Sequence, residues 1–173
     1  MKVYLAGFDV FRPDADVVFA DLCAEARRLG LTPLAPSDCE PAPAGAGAAE
    51  AAAHIFQCNL AKLREADAVI ANLAPFRGDE PDSGTVFEVG FAVATQIPVV
   101  GYGLMPGSYA DRVKSSRPCE RDDGGQLRET KSGMLVEDFG LPLNLMLSCS
   151  MEFRPTATDA LQAIAETSLG SQP

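Results

Sequence analysis

Four short apolar runs recur along the chain, and segments with the apolar spacing of helices lie between them. The runs cover residues 2–6, 31–36, 68–73 and 97–102. They are apolar throughout instead of alternating with polar residues, which is typical of strands buried on both faces. This succession predicts an α/β fold in which helices cover both faces of a parallel sheet. Ligands of such sheets bind beyond the carboxyl ends of the strands.

The apolar spacing between and after these runs predicts four helices. They cover about 15–29, 48–66, 83–96 and 156–169. Gly30 marks the end of the first helix, and either Thr156 or Thr158 is suited to be the N-cap of the last. The stretch 105–133 is rich in Gly, Ser, Pro and clustered charges, so we expect a long surface loop there. No internal repeat or linker is visible, and we expect one domain over 1–173.

Composition limits the partners of the chain. The formal net charge is −10 at pH 7, and no cluster of Lys and Arg is longer than a pair. Phosphate-backbone binding depends on dense positive charge, so we expect small-molecule substrates and no nucleic acid. The first eleven residues lack the features of a secretory signal, and no apolar run approaches the length of a membrane span. We therefore expect a cytoplasmic protein with no membrane partner.

The cysteines and the single histidine argue against a metal site. The five cysteines are scattered, odd in number and without a C-x-x-C pair, so we interpret all of them as reduced thiols. One histidine, His54, is too few for a His-ligated metal site, and we interpret it as a helix-surface residue. We expect neither a metal nor another cofactor. The cysteines are Cys23, Cys39, Cys58, Cys119 and Cys149.

The segment PDSGTVFEVG at 81–90 combines a helix start with two carboxylates. Asp82 and Ser83 both suit the N-cap, and Gly84 permits close approach of a ligand or another backbone. Helical side chains point back toward the N-terminus, so Glu88 would reach the crevice that holds Asp82. Two carboxylates around one substrate suit glycosyl transfer. The alternatives are a Glu88 on the solvent face and an Asp82 that only caps the helix.

Asn59 lies on the apolar stripe of the second predicted helix. A buried amide needs hydrogen-bond partners, so Asn59 is either a core residue bonded to the backbone or a residue that faces a pocket.

Three blocks of the sequence form a recognisable combination, namely VYLAGFDVF near the start, ADAVIANLAPFRGDEPDSGTVFEVGFAVA in the middle and FGLPLNLML near the end. Together these blocks resemble the nucleoside 2-deoxyribosyltransferase family. The resemblance implies a flavodoxin-like sheet of five parallel strands. It also implies a pentosyltransferase that moves 2-deoxyribose between nucleobases through a covalent glutamyl intermediate, with slow hydrolysis as a side reaction. The implied substrates are 2′-deoxynucleosides and free nucleobases.

The resemblance also implies roles for individual residues. Glu88 matches the family's nucleophile, and Asp82 matches an aspartate that binds the sugar and handles protons. Tyr4 matches a tyrosine that orients the nucleophile. Asn144 matches an asparagine supplied by a neighbouring subunit, which implies a homo-oligomer with shared active sites. The other residues that the resemblance places near the sugar or the base are Asn59, Asp38, Glu40 and Phe11, where Val10 is an alternative to Phe11.

Two other functions remain open from the sequence. A related hydrolase that cleaves deoxynucleoside 5′-monophosphates shares the fold and the glutamate, although Asp82 and Asn144 suit a free 5′-hydroxyl better than a phosphate. A non-catalytic nucleotide-binding module would also use this fold, since fold alone does not determine chemistry.

Overall fold

The computed structural model of the protein describes residues 1–170, so the last three residues of the expected 1–173 domain lie outside it. Five of its strands form one sheet in the order β2, β1, β3, β4, β7, and every neighbouring pair is parallel. The α/β class and the flavodoxin-like sheet are thereby confirmed. The strands are Lys2–Gly7 (β1), Thr32–Leu34 (β2), Ala68–Asn72 (β3), Val99–Tyr102 (β4), Cys119–Arg121 (β5), Leu127–Glu129 (β6) and Glu152–Phe153 (β7).

The four helices predicted from apolar spacing are present, and their ends lie within two residues of those predicted. The last one begins after Thr156, whose hydroxyl accepts a hydrogen bond from the Asp159 amide at 3.2 Å. Thr156, and not Thr158, is therefore its N-cap. Two 3₁₀ turns, Phe8–Phe11 and Pro36–Asp38, follow β1 and β2. The helices are Ala15–Arg28 (α1), Ala48–Glu65 (α2), Ser83–Ala94 (α3), Tyr109–Ser116 (α4), Leu145–Ser148 (α5) and Ala157–Gly170 (α6).

Alternate side chains of the inner strand β1 pack in two separate cores. Leu5 packs in one apolar cluster with Phe19 of α1, on the face that α6 also covers. Tyr4 packs in the other cluster with Leu63 of α2 and Val89 of α3. Burying a side chain of this size contributes about 1.5–3 kcal/mol, so each face holds its helices firmly. Helices α1 and α3 therefore stand on opposite faces of one sheet.

The chain reverses its direction across the sheet between β1 and β3. From β1 it moves to β2 on one side, whereas β3, β4 and β7 follow on the other side. In the register of the sheet, Tyr4 lies between Leu34 of β2 and Val69 of β3. A crevice opens at such a switch point beyond the carboxyl ends of the two diverging strands.

The surface loop expected over 105–133 is wrong. Helix α4 begins after Ser108, whose hydroxyl donates a hydrogen bond to the Asp111 carboxylate and accepts one from the Asp111 amide. Strands β5 and β6 then form an antiparallel hairpin, in which Leu127 is buried against Val113 of α4 and Val136. These apolar residues are too few and too widely spaced to show a helix or strand period within so polar a stretch.

The interpretation of all five cysteines as reduced thiols is wrong for two of them. Cys39 and Cys58 form a disulfide that joins the segment after β2 to α2, while Cys23, Cys119 and Cys149 are free. The two partners are 19 residues apart in sequence, and only the fold brings them together. Within the described residues, no helix is long and apolar enough to cross a membrane. The cytoplasmic location stays a prediction.

Candidate active site

A cavity of about 480 Å³ opens at the switch point of the sheet. Residues of α1, α2, α3 and the two 3₁₀ turns line it together. Five of the residues singled out from the sequence are among them, namely Phe11, Asn59, Asp82, Gly84 and Glu88. A second, more apolar cavity of about 370 Å³ adjoins the first and shares Asn59, Gly84 and Glu88 with it.

A hydrogen bond between β1 and α3 holds Glu88 in this cavity. The Tyr4 hydroxyl donates to Glu88 Oε1 at 2.6 Å, and the Tyr4 side chain is fully buried. Within the described residues, the structure shows no hydrogen bond to Glu88 Oε2. This oxygen is therefore available to a ligand. The alternative of a Glu88 on the solvent face is therefore wrong.

Burial raises the pKa of Glu88 from its ordinary 4.5 to about 7. Two smaller effects are included in this value, because the hydrogen bond from Tyr4 lowers the pKa and the negative charge of Asp82 raises it. Burial and the neighbouring Glu88 carboxylate together raise the pKa of Tyr4 as well. Tyr4 thus keeps its proton and remains a hydrogen-bond donor to Glu88 at neutral pH.

Asp82 both caps α3 and faces the cavity. Its Oδ2 accepts hydrogen bonds from the Thr85 amide at 2.9 Å and the Thr85 hydroxyl at 3.1 Å. These bonds use one carboxylate oxygen, which leaves Oδ1 available on the cavity side. A side chain at Gly84 would bring its Cβ to 3.0 Å from Asp82 Oδ2, so glycine keeps the space between the two carboxylates open.

The loop that precedes Asp82 is fixed from outside the cavity. Asp79 in this loop pairs with Arg117 at the end of α4 and accepts a hydrogen bond from the Ser116 hydroxyl at 2.7 Å. Arg117 also pairs with Glu129 of β6 at 3.0 Å. The helix and hairpin at 105–133 therefore brace the loop that presents Asp82.

Phe11 belongs to a cluster of three aromatic rings at the cavity. Its ring centroid is 5.3 Å from that of Phe76, and the Phe76 centroid is 5.2 Å from that of Phe8. The Arg77 guanidinium lies 4.5 Å from the centroid of Phe76. Such stacking fixes the plane of Phe11. Val10, the alternative from the sequence, lines the cavity too.

Asn59 faces the cavity from α2, which answers the question that its position on the apolar stripe raised. On the same helix, the Lys62 ammonium donates a hydrogen bond to the Ala35 carbonyl at 2.6 Å. The disulfide of Cys39 and Cys58 joins the same two segments. Two links therefore hold the segment after β2 against the helix that carries Asn59.

Three candidates from the sequence lie away from the Glu88 cavity. Asp38 and Glu40 follow β2 but do not line the Glu88 cavity. The Glu40 carbonyl instead contacts His54 Nε2 at 2.9 Å. Asn144 caps α5 through a bond from the Leu147 amide at 3.2 Å. It lines a different cavity, against the side of α3 that carries Val86, Val89 and Val93. Roles for these three residues stay predictions.

The sequence reasoning missed three polar residues that line the cavity, namely Asp16 of α1, Ser37 of the second 3₁₀ turn and Thr85 of α3. Thr85 had a signal, since it lies three residues after an N-cap aspartate. Asp16 had only its place in the first turn of a helix that follows β1. A 3₁₀ turn directs adjacent side chains to different sides, so only one of Ser37 and Asp38 faces the cavity. The sequence carried no signal for which of the two it would be.

A model of the family described as nucleoside 2-deoxyribosyltransferase matches residues 3–146 of the chain. The chain belongs to this family. The family consists of pentosyltransferases. The recognition from the three sequence blocks is thereby confirmed.

A solved structure of a 2-desoxiribosyltransferase from Leishmania mexicana is 30% identical to the chain. It matches with a TM-score of 0.72 over 95% of this chain and 97% of the other. A 2-deoxyribosyltransferase from Bacillus psychrosaccharolyticus is 17% identical and matches over 95% and 96% of the two chains with a TM-score of 0.58, which supports the fold alone. An uncharacterised protein of Schizosaccharomyces pombe is 33% identical over 133 residues. That alignment covers 76% of this chain but only 63% of the relative.

The raised pKa of Glu88 predicts a change in stability with pH. Because the folded protein holds this proton up to about pH 7 and an ordinary glutamate only to 4.5, wild-type stability falls as pH rises through that window. We expect the free energy of unfolding of Glu88→Gln not to show this decrease between about pH 4.5 and 7. The variant should match the wild type near pH 4.5 and exceed its free energy of unfolding by up to about 3 kcal/mol at pH 8.

Urea unfolding of both proteins at pH 5 and pH 8 measures this difference. Glu120→Gln, which neutralises an exposed carboxylate on β5, is the control and should change little between the two pH values. An equal stability difference for Glu88→Gln at both pH values would contradict the prediction.

Proposed function

We propose that the chain transfers 2-deoxyribose from a 2′-deoxynucleoside to a second nucleobase. The observation that carries the proposal is the Glu88 carboxylate, which is held through one oxygen by Tyr4 and faces a cavity with the other. Membership of a pentosyltransferase family and the likeness to the Leishmania mexicana enzyme support it. Such an enzyme would serve nucleoside salvage.

The proposed reaction has two displacements at C1′. In the first, an oxygen of Glu88 forms a bond to C1′ while the C1′–N bond breaks, and the base leaves with the bonding electron pair. Asp82 is the group that we propose to manage the proton of the departing base. In the second, a nitrogen of another base attacks C1′, and the ester electrons return to Glu88. Two inversions retain the β configuration.

The hydrogen bond from Tyr4 gives the nucleophile its direction. A carboxylate with one oxygen fixed at 2.6 Å has little freedom to rotate, so Oε2 keeps its position toward the sugar. We assign Tyr4 as a positioning residue and not as a group that reacts. Asn59 and Gly84 complete the proposed sugar side, and Phe11 is proposed to stack on the base.

The exchange of bases tests the proposal directly. Incubation with deoxycytidine together with adenine should yield deoxyadenosine, whereas the matched ribonucleoside should exchange much more slowly because a close Glu88 leaves little room for a 2′-hydroxyl. Glu88→Ala should reduce the rate on the order of 10³-fold or more. Chromatography of the products measures both effects.

The products also distinguish the other functions. Water can attack the same ester, so slow release of free deoxyribose is expected beside the exchange. Free base and deoxyribose without any exchange would indicate a hydrolase. Ligand binding with no reaction would indicate a binding module, and normal exchange by Glu88→Ala would overturn Glu88 as the nucleophile.

The neighbours of Glu88 predict the pH dependence of the reaction. Attack needs the ionised carboxylate, so kcat/KM should rise with pH through about 7. Tyr4→Phe removes the bond that lowers this pKa and should move the rise to higher pH, with about a tenfold loss of rate at pH 6. Asp82→Asn removes a charge that raises the pKa and should move the rise to lower pH, although proton handling is also lost. Profiles that move in the same direction would refute this account.

We propose that Asn144 acts in the active site of a second copy of the chain. In its own copy it lines a cavity without Glu88, together with the strongly exposed side chain of Met146. Exposed apolar residues are also present near Glu88, at Phe56 and Phe87. Paired apolar surfaces of this kind suit a homo-oligomer.

Mixing two inactive variants tests whether the site is shared. Glu88→Ala and Asn144→Ala should each be inactive alone. Co-expressed subunits should recover about a quarter of wild-type activity, since random assembly pairs an intact Glu88 with an intact Asn144 at that frequency. A mixture that stays inactive while size-exclusion chromatography shows a mixed oligomer would place Asn144 outside the shared site.

A further inference from the structure

The polar residues of the Glu88 cavity approach it from two sides of the sheet. Glu88, Asp82 and Asn59 come from α3, its N-cap and α2, which pack on one face. Asp16 comes from α1, whose Phe19 packs on the other face. The cavity thus has an acidic group on each side of the edge of the sheet.

The surface between these two sides is mainly apolar. It is formed by Val10, Phe11, Phe19, Pro36 and Ile55. The Phe11 ring is held by the stack on Phe76 at 5.3 Å with an angle of 21° between the ring planes. A flat, apolar-faced ligand can therefore lie against Phe11 and present its edges to the polar groups.

The Asp16 carboxylate has no hydrogen bond or ion pair with any other part of the chain that the structure describes. The nearest cation in sequence, Arg12, donates two hydrogen bonds of 2.9 Å to Asp14 instead. The Ser37 hydroxyl, which lines the same cavity, is likewise without a protein partner in that part of the chain. Both side chains are exposed in the cavity and keep their hydrogen-bonding capacity for a ligand.

The geometry of a nucleoside determines which atoms would face Asp16. In the proposed reaction C1′ is at Glu88, so the glycosidic nitrogen is on that side. The edge opposite to it carries the 4-substituent of a pyrimidine and the 6-substituent of a purine. That substituent is an amino donor in cytosine and adenine and an oxygen acceptor in thymine and guanine. Hypoxanthine and uracil also carry an oxygen there.

We infer that Asp16, assisted by Ser37, selects bases with an amino group at this edge, namely adenine and cytosine. The inference rests on the proposed function. A carboxylate only accepts hydrogen bonds, so it pairs with an amino group and repels an oxo group. An oxygen placed against Asp16 brings two acceptors together with no donor between them, which disfavours an oxo base at this edge.

Competition between paired bases measures this selectivity. Deoxyadenosine is the common donor, and cytosine and uracil are supplied together at equal concentration. The ratio of deoxycytidine to deoxyuridine then gives the ratio of kcat/KM values for the two acceptors. We expect the wild type to favour cytosine by about ten- to a hundredfold.

Asp16→Asn has nearly the same shape but offers both a donor and an acceptor. We expect it to reduce the ratio to within about threefold of one, with exchange retained. Asp21→Asn is the matched control, because it removes the same charge from an exposed position on α1 outside the cavity and should keep the wild-type ratio. Ser37→Ala should lower the ratio to a smaller extent than Asp16→Asn.

The outcomes separate the inference from the proposed function. A wild type that exchanges bases without preferring cytosine, or an Asp16→Asn variant that keeps the preference, overturns the role of Asp16 while the transferase proposal stands. An equal loss of preference in Asp21→Asn also overturns it, since long-range charge would then be the cause. Absence of exchange with every base overturns both proposals. Urea unfolding midpoints of the variants, expected to match that of the wild type, exclude misfolding as an explanation.

Discussion

The hydrogen bond from Tyr4 to Glu88 is the interaction on which the rest of the site depends. Tyr4 belongs to the inner strand β1, which pairs on both sides and is covered on both faces. Its hydroxyl is therefore as firmly placed as any atom near the crevice can be. This one hydrogen bond fixes the Glu88 carboxylate, which belongs to a helix, relative to the sheet. The cavity is then organised around a group that cannot turn away from it.

The placement of Glu88 has a cost for the folded protein. Removing a carboxylate from water disfavours its charged form, and the neighbouring Asp82 adds to this effect. A glutamine would have the same shape with a smaller penalty at neutral pH. A carboxylate that lowers the stability of the folded protein is expected in a crevice when the group is required for chemistry and not for the fold.

The sequence predicted four of the five strands of the sheet and the helices that cover it because their signals are local, whereas the two-residue strand β7 had no such signal. Buried strands of apolar residues and helical stripes depend only on neighbours within one element. The hairpin of β5 and β6 escaped prediction, since three-residue strands with charged side chains carry almost no period. The carboxylate pair of Asp82 and Glu88 was accessible because both lie on one helix start. Their assignment to a chemical role needed the family resemblance.

The far side of the cavity was harder to predict, because its residues come together only through the fold. Asp38 and Glu40 had the appropriate chemistry and the appropriate segment, yet Ser37 and Asp16 are the residues that line the cavity. Their selection depends on how a short 3₁₀ turn is oriented and on which face α1 packs. Neither property is encoded in a local period.

The disulfide of Cys39 and Cys58 changes the character of the segment between them. Residues 41–47 consist only of Pro, Ala and Gly, a composition that favours a disordered connection. Closing a loop of this size lowers the conformational entropy of the unfolded chain, which corresponds to about 3 kcal/mol. The disulfide thus stabilises the wall of the cavity that is formed by α2 and the segment after β2, because it destabilises the unfolded chain. The opposite wall depends on the close packing of α1 against the sheet.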